Sequence, residues 1–250
     1  FLIRLGDFIK SLAVTIMKTD ELQRLSRKLY TNSVEGWSTE TIIESGINQE
    51  EKSLLEEVPI KQGKLLLLGV GGGREAIFFA RMGIEVTGVD FIPEMIKKTK
   101  ENAIRYGVEI EGLVQDIYKL DVPACSYDFV WLSASMYSSI PNRKRRIKIL
   151  KDIKKALKPE GYFFLTFWWD PSLKVSSKVY ILRRLFGILT SGNLFYEKGD
   201  MLWLDREFIH VFFSKDILMA EFEEGGFDII SIHLPPKMMV GAGAILRKNK

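Results

Sequence analysis

Between residues 64 and 169 the chain alternates two patterns. Short runs of strand length and composition occupy 65–68, 84–89, 109–115, 127–133 and 162–168. Among them lie stretches where apolar residues recur every three or four positions, at 74–82, 93–106 and 143–157. The first pattern predicts strands and the second amphipathic helices. The punctuation agrees. Gly83 follows the first helix, Pro93 opens the second and Gly107 closes it. Lys158-Pro159-Glu160-Gly161 makes a turn before the fifth strand. Such alternation predicts an α/β fold, a parallel sheet with helices on both faces. Ligands then bind at the carboxyl ends of the strands, where strand order reverses.

The flanks differ. Residues 1–60 carry apolar residues at helical spacing, with a last run around 50–57 ending at Pro59. They predict a helical cap or lid. Residues 61–250 make the main domain, with a less regular insert at 170–212, followed by helix, strand and strand. The insert mixes Lys174, Lys178, Arg183 and Arg184 with Val179, Leu182, Leu185, Phe186 and Leu189. That is a basic amphipathic helix. Its apolar side is expected to cap the core, the alternative being contact with an anionic membrane or a lipid-like ligand.

Composition narrows the classes. The 250 residues are 46% hydrophobic and 27% charged, as in an ordinary globular domain. The lone Cys125 excludes an internal disulfide, and with only His210 and His233 a Cys/His zinc site is not expected. A net charge of +4 permits anionic partners without demanding them. The apolar residues 1–17 include Arg4, Asp7 and Lys10, and fall short of the roughly 20 uncharged residues of a membrane span. They also lack the pattern of a signal peptide. The expectation is a cytoplasmic protein, with membrane association left open.

The sharpest motif is Gly69-Val70-Gly71-Gly72-Gly73, between a strand and a helix. Glycines there let a ligand approach bare backbone, and the helix N-terminus offers free N–H groups. A P-loop would continue with Gly-Lys-Ser/Thr, and a dinucleotide fingerprint would need Gly or Ala where Arg74 stands. Asp90 ends the second strand, where an acid can accept both hydroxyls of an adenosine ribose. Asp116 ends the third, where a carboxylate can accept from an adenine amino group. Ile117 and Phe91 are apolar neighbours for the two faces of the ring.

In these features residues 64–169 resemble the core of a class I S-adenosylmethionine-dependent methyltransferase of the small-molecule type. The glycine turn, Asp90, Asp116 and the turn at Leu157-Lys158-Pro159-Glu160-Gly161 occur in the family's order. The tail fits as well: Phe213-Ser214-Lys215-Asp216 opens a helix, Gly225-Gly226-Phe227 turns into a strand, and 241–247 is the final one. The resemblance implies a Rossmann-like, seven-stranded, mostly parallel sheet with one antiparallel strand. It implies S-adenosyl-L-methionine as cofactor, bound by Gly69, Gly71, Gly73, Glu75, Asp90, Phe91, Asp116, Ile117 and Ser133. One position departs: Leu67 stands where the family has an acid that holds the methionine end, and Glu75 or the Gly69 carbonyl is the substitute.

Methyl transfer is an in-line displacement that rests on positioning, and a base is needed only for an acceptor that must lose a proton. After the fourth strand, Ser133-Ala134-Ser135-Met136-Tyr137 lacks the Asn/Asp-Pro-Pro-aromatic tetrad of many amino-group methylators. A small or lipid-like acceptor is therefore expected, and no metal. Tyr137 and His210 are the candidates for handling a proton; a lone His is more often structural. Of Trp168 and Trp169, adjacent on a strand, one is expected in the core and the other at the acceptor. Tyr30 and Trp37 lie in the segment that folds across the cofactor in relatives. The run from Arg143 to Lys158 reads as the solvated face of a helix rather than a nucleic-acid grip. The competing functions are a non-catalytic cofactor-binding protein and a nucleotide-dependent oxidoreductase.

Overall fold

A computed structural model describes residues 12–132, 134–204, 207–237 and 239–249. After a helical stretch at 12–16, the described residues continue with α1 (Thr19–Thr31), α2 (Val34–Trp37), α3 (Glu40–Ser45) and α4 (Gln49–Glu56). The N-terminus of α4 is fixed by a capping box, in which Asn48 accepts from the Glu51 amide and Glu51 accepts from the Asn48 amide. Strand and helix then alternate: β1 (Lys64–Leu68), α5 (Arg74–Arg81), β2 (Glu85–Asp90), α6 (Pro93–Arg105), β3 (Ile110–Val114), β4 (Tyr127–Leu132), α7 (Arg143–Ala156) and β5 (Leu157–Trp169). The insert holds α8 (Ser177–Leu189) and a hairpin, β6 (Asp200–Trp203) with β7 (Glu207–His210). The chain ends with α9 (Lys215–Glu224), β8 (Phe227–His233) and β9 (Met239–Lys248).

The main sheet has seven strands in the order β3-β2-β1-β4-β5-β9-β8. β1 to β5 run parallel, and β9 is antiparallel to both its neighbours. Side chains alternate across the sheet. Leu66 and Leu68 pack with Val130, Phe163 and Phe222 on one face. Leu65 and Leu67 pack with Phe79, Trp131 and Phe164 on the other. Burial on both faces explains why these strands read as continuous apolar runs. The order reverses between β1 and β4, so the ends of β1, β2, β3 and β4 converge on one crevice.

Three details depart from the expectations. The turn at 158–161 is absorbed into β5: Leu157 already pairs with Tyr127, the register shifts before Tyr162, and Glu160 takes a φ of 60°. On α7, Arg146 is not on the solvated face but fully buried. The third is a correction. The apolar side of α8 does not cap the core. Tyr180, Arg183 and Gly187 face the body, and Leu182, Leu185 and Leu189 face outward. Beneath the helix, Tyr180 packs on a small cluster of Val14, Leu22, Tyr196 and Phe208, while the Tyr196 hydroxyl meets Arg183 and the Asn193 carbonyl lies against Gly187. Among the described residues no helix is long and apolar enough to cross a membrane.

Candidate active site

A cavity of about 430 Å³ opens at the strand ends. Its floor begins at the glycine turn. Gly71 has a φ of 54°, in the left-handed region, and a Cβ there would meet no atom within 4 Å. The turn thus shows bare backbone to the cavity. Gly72 serves packing: a Cβ would come within 2.6 Å of the Trp37 carbonyl, where the link between α2 and α3 crosses the turn.

Asp90 faces this turn. Its Oδ2 accepts from the Gly71 amide at 3.0 Å and its Oδ1 from the Ile92 amide at 3.0 Å. Burial pushes its pKa up, and these backbone donors oppose the rise. Each oxygen keeps lone-pair capacity for a further donor. Asp116 lies across the cavity at the end of β3, where its Oδ1 accepts from the Tyr118 amide at 3.1 Å. Its Oδ2 is ion-paired with Arg27 of α1, and the Arg27 guanidinium lies 4.6 Å from the centre of the Phe91 ring. Ile117 and Phe91 both line the cavity. Gly69, Gly71, Glu75, Asp90, Phe91, Asp116 and Ile117 therefore share one cavity. Gly73 sits just behind it as the N-cap of α5, and Ser133 lies outside the described residues.

Leu67 is fully buried among apolar side chains and cannot reach a ligand. A charged cluster stands nearby instead. Arg74 is bonded to Glu75 and lies 3.6 Å from Glu51. Glu51 and Glu75 are buried, and burial, then the charge of Glu75, pushes the Glu51 pKa up. Two carboxylates thus gather against one guanidinium beside the turn. In the sequence Glu51 is one residue of the helical run around 50–57, with nothing to mark it as part of the site.

The far end of the cavity is built by the insert and α1. Trp168 of β5 and Trp203 of β6 lie with ring centroids 4.7 Å apart, and both line the cavity. Trp169, the other member of the pair, is in the core with its Nε1 donating to the Pro235 carbonyl at 3.1 Å. Glu207 accepts at Oε1 from the Tyr30 hydroxyl and from Ser139 Oγ, the latter at 3.1 Å. Burial and the Glu207 charge hold the Tyr30 pKa above its ordinary value, so Tyr30 stays a donor. Trp203 and Glu207 are cross-strand partners in the hairpin and point to one face.

That parity decides between two residues. His210 is three positions from Glu207 on the same strand, so it points to the opposite face. Its cross-strand partner is Asp200, whose Oδ1 lies 2.8 Å from His210 Nδ1. Burial and Arg146 lower the His210 pKa to about 4, and burial pushes Asp200 up to about 7. His210 is neutral and does not line the cavity. Tyr137 is likewise turned away. It is fully buried, stacks on Phe212 and donates its hydroxyl to Glu221. The two proton-handling candidates read from the sequence are thus neither in the cavity nor together. Glu207, which the sequence reading missed, stands there instead. Its pairing with Trp203 depends on a hairpin that no sequence pattern announced.

Among the described residues, Glu197, Asp200 and His210 bring possible metal-ligand atoms within 4.8 Å of one another. Both Glu197 oxygens are already taken by Arg146, at 3.1 and 3.2 Å. A guanidinium at that distance opposes a cation.

Residues 65–161 match the family described as "Methyltransferase domain". The chain is 30% identical over 149 residues to a demethylmenaquinone methyltransferase of Staphylococcus haemolyticus, covering 59% of this chain and 60% of that one. It is 31% identical over 104 residues to a ubiquinone biosynthesis O-methyltransferase of Xanthomonas axonopodis, covering 41% and 42%. The match thus spans 60% or less of these relatives' own lengths. The fold is similar to that of a Burkholderia thailandensis 1,6-didemethyltoxoflavin-N1-methyltransferase solved with 1,6-didemethyltoxoflavin and S-adenosylhomocysteine. The TM-score is 0.63 at 16% identity, over 92% of this chain and 90% of that one. The glycine turn and the strand-end acids thus share one cavity within a stretch that is similar to the methyltransferase-domain family, on a chain whose fold is that of a solved methyltransferase.

Proposed function

We propose that the protein is an S-adenosylmethionine-dependent methyltransferase acting on a small, largely apolar acceptor that bears an acidic hydroxyl. One observation carries this reading. A single cavity joins Gly71, Asp90 and Asp116 to an end built from two indoles and a carboxylate, Trp168, Trp203 and Glu207. The first set suits the adenosyl group and the second a ring with a proton to lose.

The residues fit the cofactor. Asp90 has acceptor capacity for the ribose hydroxyls, and Asp116 for the adenine amino group between Phe91 and Ile117. Gly71 keeps the backbone bare along the chain of the ligand. Glu75, in the cavity wall, offers the methionine ammonium a carboxylate in place of the acid missing at Leu67. When bound, S-adenosylmethionine supplies a methyl group activated on a sulfonium. The residues of the chain do the rest by positioning and by excluding water. Residues 1–60 act as a lid, through Tyr30 and Trp37 in the cavity wall. Trp168 and Trp203 give the acceptor an apolar bed. Glu207 receives the hydroxyl proton and leaves an oxygen nucleophile, while Tyr30 and Ser139 hold its carboxylate in place. The names of the two relatives, with menaquinone and ubiquinone in them, agree with a hydroxylated, lipid-like ring.

The test is S-adenosylhomocysteine release with a panel of phenols, catechols and hydroquinones, against amines of similar size. Transfer to the hydroxylated rings is expected. Glu207→Gln should lower kcat by about 10²–10⁴-fold while leaving S-adenosylhomocysteine affinity unchanged. Transfer to amines alone, or equal rates in the variant, would contradict the reading.

A further inference from the structure

We propose that the outward face of α8 docks on an anionic lipid bilayer. The helix is inside out. On its body side, at helical spacing, stand Tyr180, Arg183 and Gly187. Arg183 donates to the Tyr196 hydroxyl at 2.7 Å, and Tyr180 lies 6.0 Å from the Tyr196 ring. Gly187 lets the helix close on the following loop, since a Cβ there would lie 2.7 Å from the Asn193 carbonyl. On the solvent side Ile181, Leu182, Leu185 and Ile188 are each more than half exposed, and Leu189 is 81% exposed. A soluble surface helix arranges these two sides the other way round. A contiguous exposed apolar stripe of this kind marks an interaction surface.

Charge selects the partner. No Asp or Glu occurs between Asp170 and Glu197, whereas Lys174, Lys178 and Arg184 are all exposed there. An apolar stripe edged only by cations matches a surface that is oily inside and negative at its rim, as an anionic bilayer is. The insert that carries this helix also carries Trp203 and Glu207, so the bilayer and the cavity meet on one segment. The proposal does not rest on methyl transfer.

Sedimentation with vesicles tests it directly. The protein is mixed with phosphatidylglycerol–phosphatidylcholine vesicles and, separately, with phosphatidylcholine vesicles. Binding to the first should exceed binding to the second by at least about tenfold and weaken in about 0.5 M salt. Leu185→Asp with Leu189→Asp should reduce it at least about tenfold without changing the melting temperature, because both residues are exposed. Lys178→Glu with Arg184→Glu should do the same by removing the cations. No binding by the wild type would overturn the proposal, as would a double-aspartate variant that binds like the wild type. A fall in melting temperature with the aspartates would show that the chain itself covers this face. A wild-type dimer that the aspartates dissociate, without vesicle binding, would assign the face to a second copy. Either would overturn it.

Discussion

Asp200 and His210 face each other in a fully buried pair, and their shifts have opposite consequences for stability. Folded His210 titrates at about 4, below its ordinary 6.5. Between those values the unfolded chain binds the extra proton, so this residue makes stability fall as pH falls from about 6.5 to about 4. Folded Asp200 titrates at about 7, above its ordinary 3.8. There the folded chain binds the extra proton, so this residue makes stability fall as pH rises from about 4 to about 7. In the wild type the two slopes offset each other over their shared window. Asp200→Asn should expose the first slope and His210→Gln the second, each at most about 1.4 kcal/mol per pH unit. Denaturant melts at stepped pH check this, and parallel slopes in the two variants would contradict it. Glu207 and His210 also show how far residue type alone misleads. Histidine advertises proton chemistry, but a strand sends alternate side chains to opposite faces, and only Glu207 reaches the cavity.

At the scale of elements, α1 reaches the end of the cavity proposed for adenine. Arg27 engages both Asp116 and the Phe91 ring, the two groups proposed to receive the base. The adenine amino group must then compete with Arg27 for Asp116. Arg27→Ala should therefore tighten S-adenosylhomocysteine binding several-fold in calorimetry, whereas weaker binding would make Arg27 a ligand of the cofactor. Elements were legible where burial is two-sided. β1 and β4 are apolar on both faces and read as strands, and the Gly and Pro signals closed α6 where the structure closes it. The insert was not legible. Its hairpin is four residues on each strand and lacks a tight glycine turn, and α8 has the composition of a core-capping helix with the opposite orientation. Composition is blind to which side faces the body; Gly187 and the Tyr196 hydroxyl decide that.

The whole molecule is tied together behind the cavity by a buried charge network. Arg146 Nε donates to Glu221 Oε1 at 2.7 Å, and its other nitrogens reach both Glu197 oxygens. This joins α7, α9 and the insert, and Tyr137 completes it through Glu221. Arg146→Ala would leave Glu221, at zero exposure, with the Tyr137 hydroxyl and Arg143 at 3.7 Å, and should cost up to about 3–5 kcal/mol in denaturant unfolding. Tyr137→Phe should cost about 1–3 kcal/mol and leave the catalytic rate intact. A loss under about 1 kcal/mol for Arg146→Ala would mean that Arg143 alone compensates Glu221, or that Glu221 is neutral. The central claim, that the strand ends hold an adenosyl cofactor through Asp90, is tested most directly by calorimetric titration. S-adenosylmethionine, S-adenosylhomocysteine and NADH are each titrated into wild type and Asp90→Ala. The two adenosyl sulfur compounds should bind at micromolar affinity, NADH should not, and Asp90→Ala should weaken both by at least about thirtyfold. Binding of NADH alone, or undiminished binding by Asp90→Ala, would contradict the account.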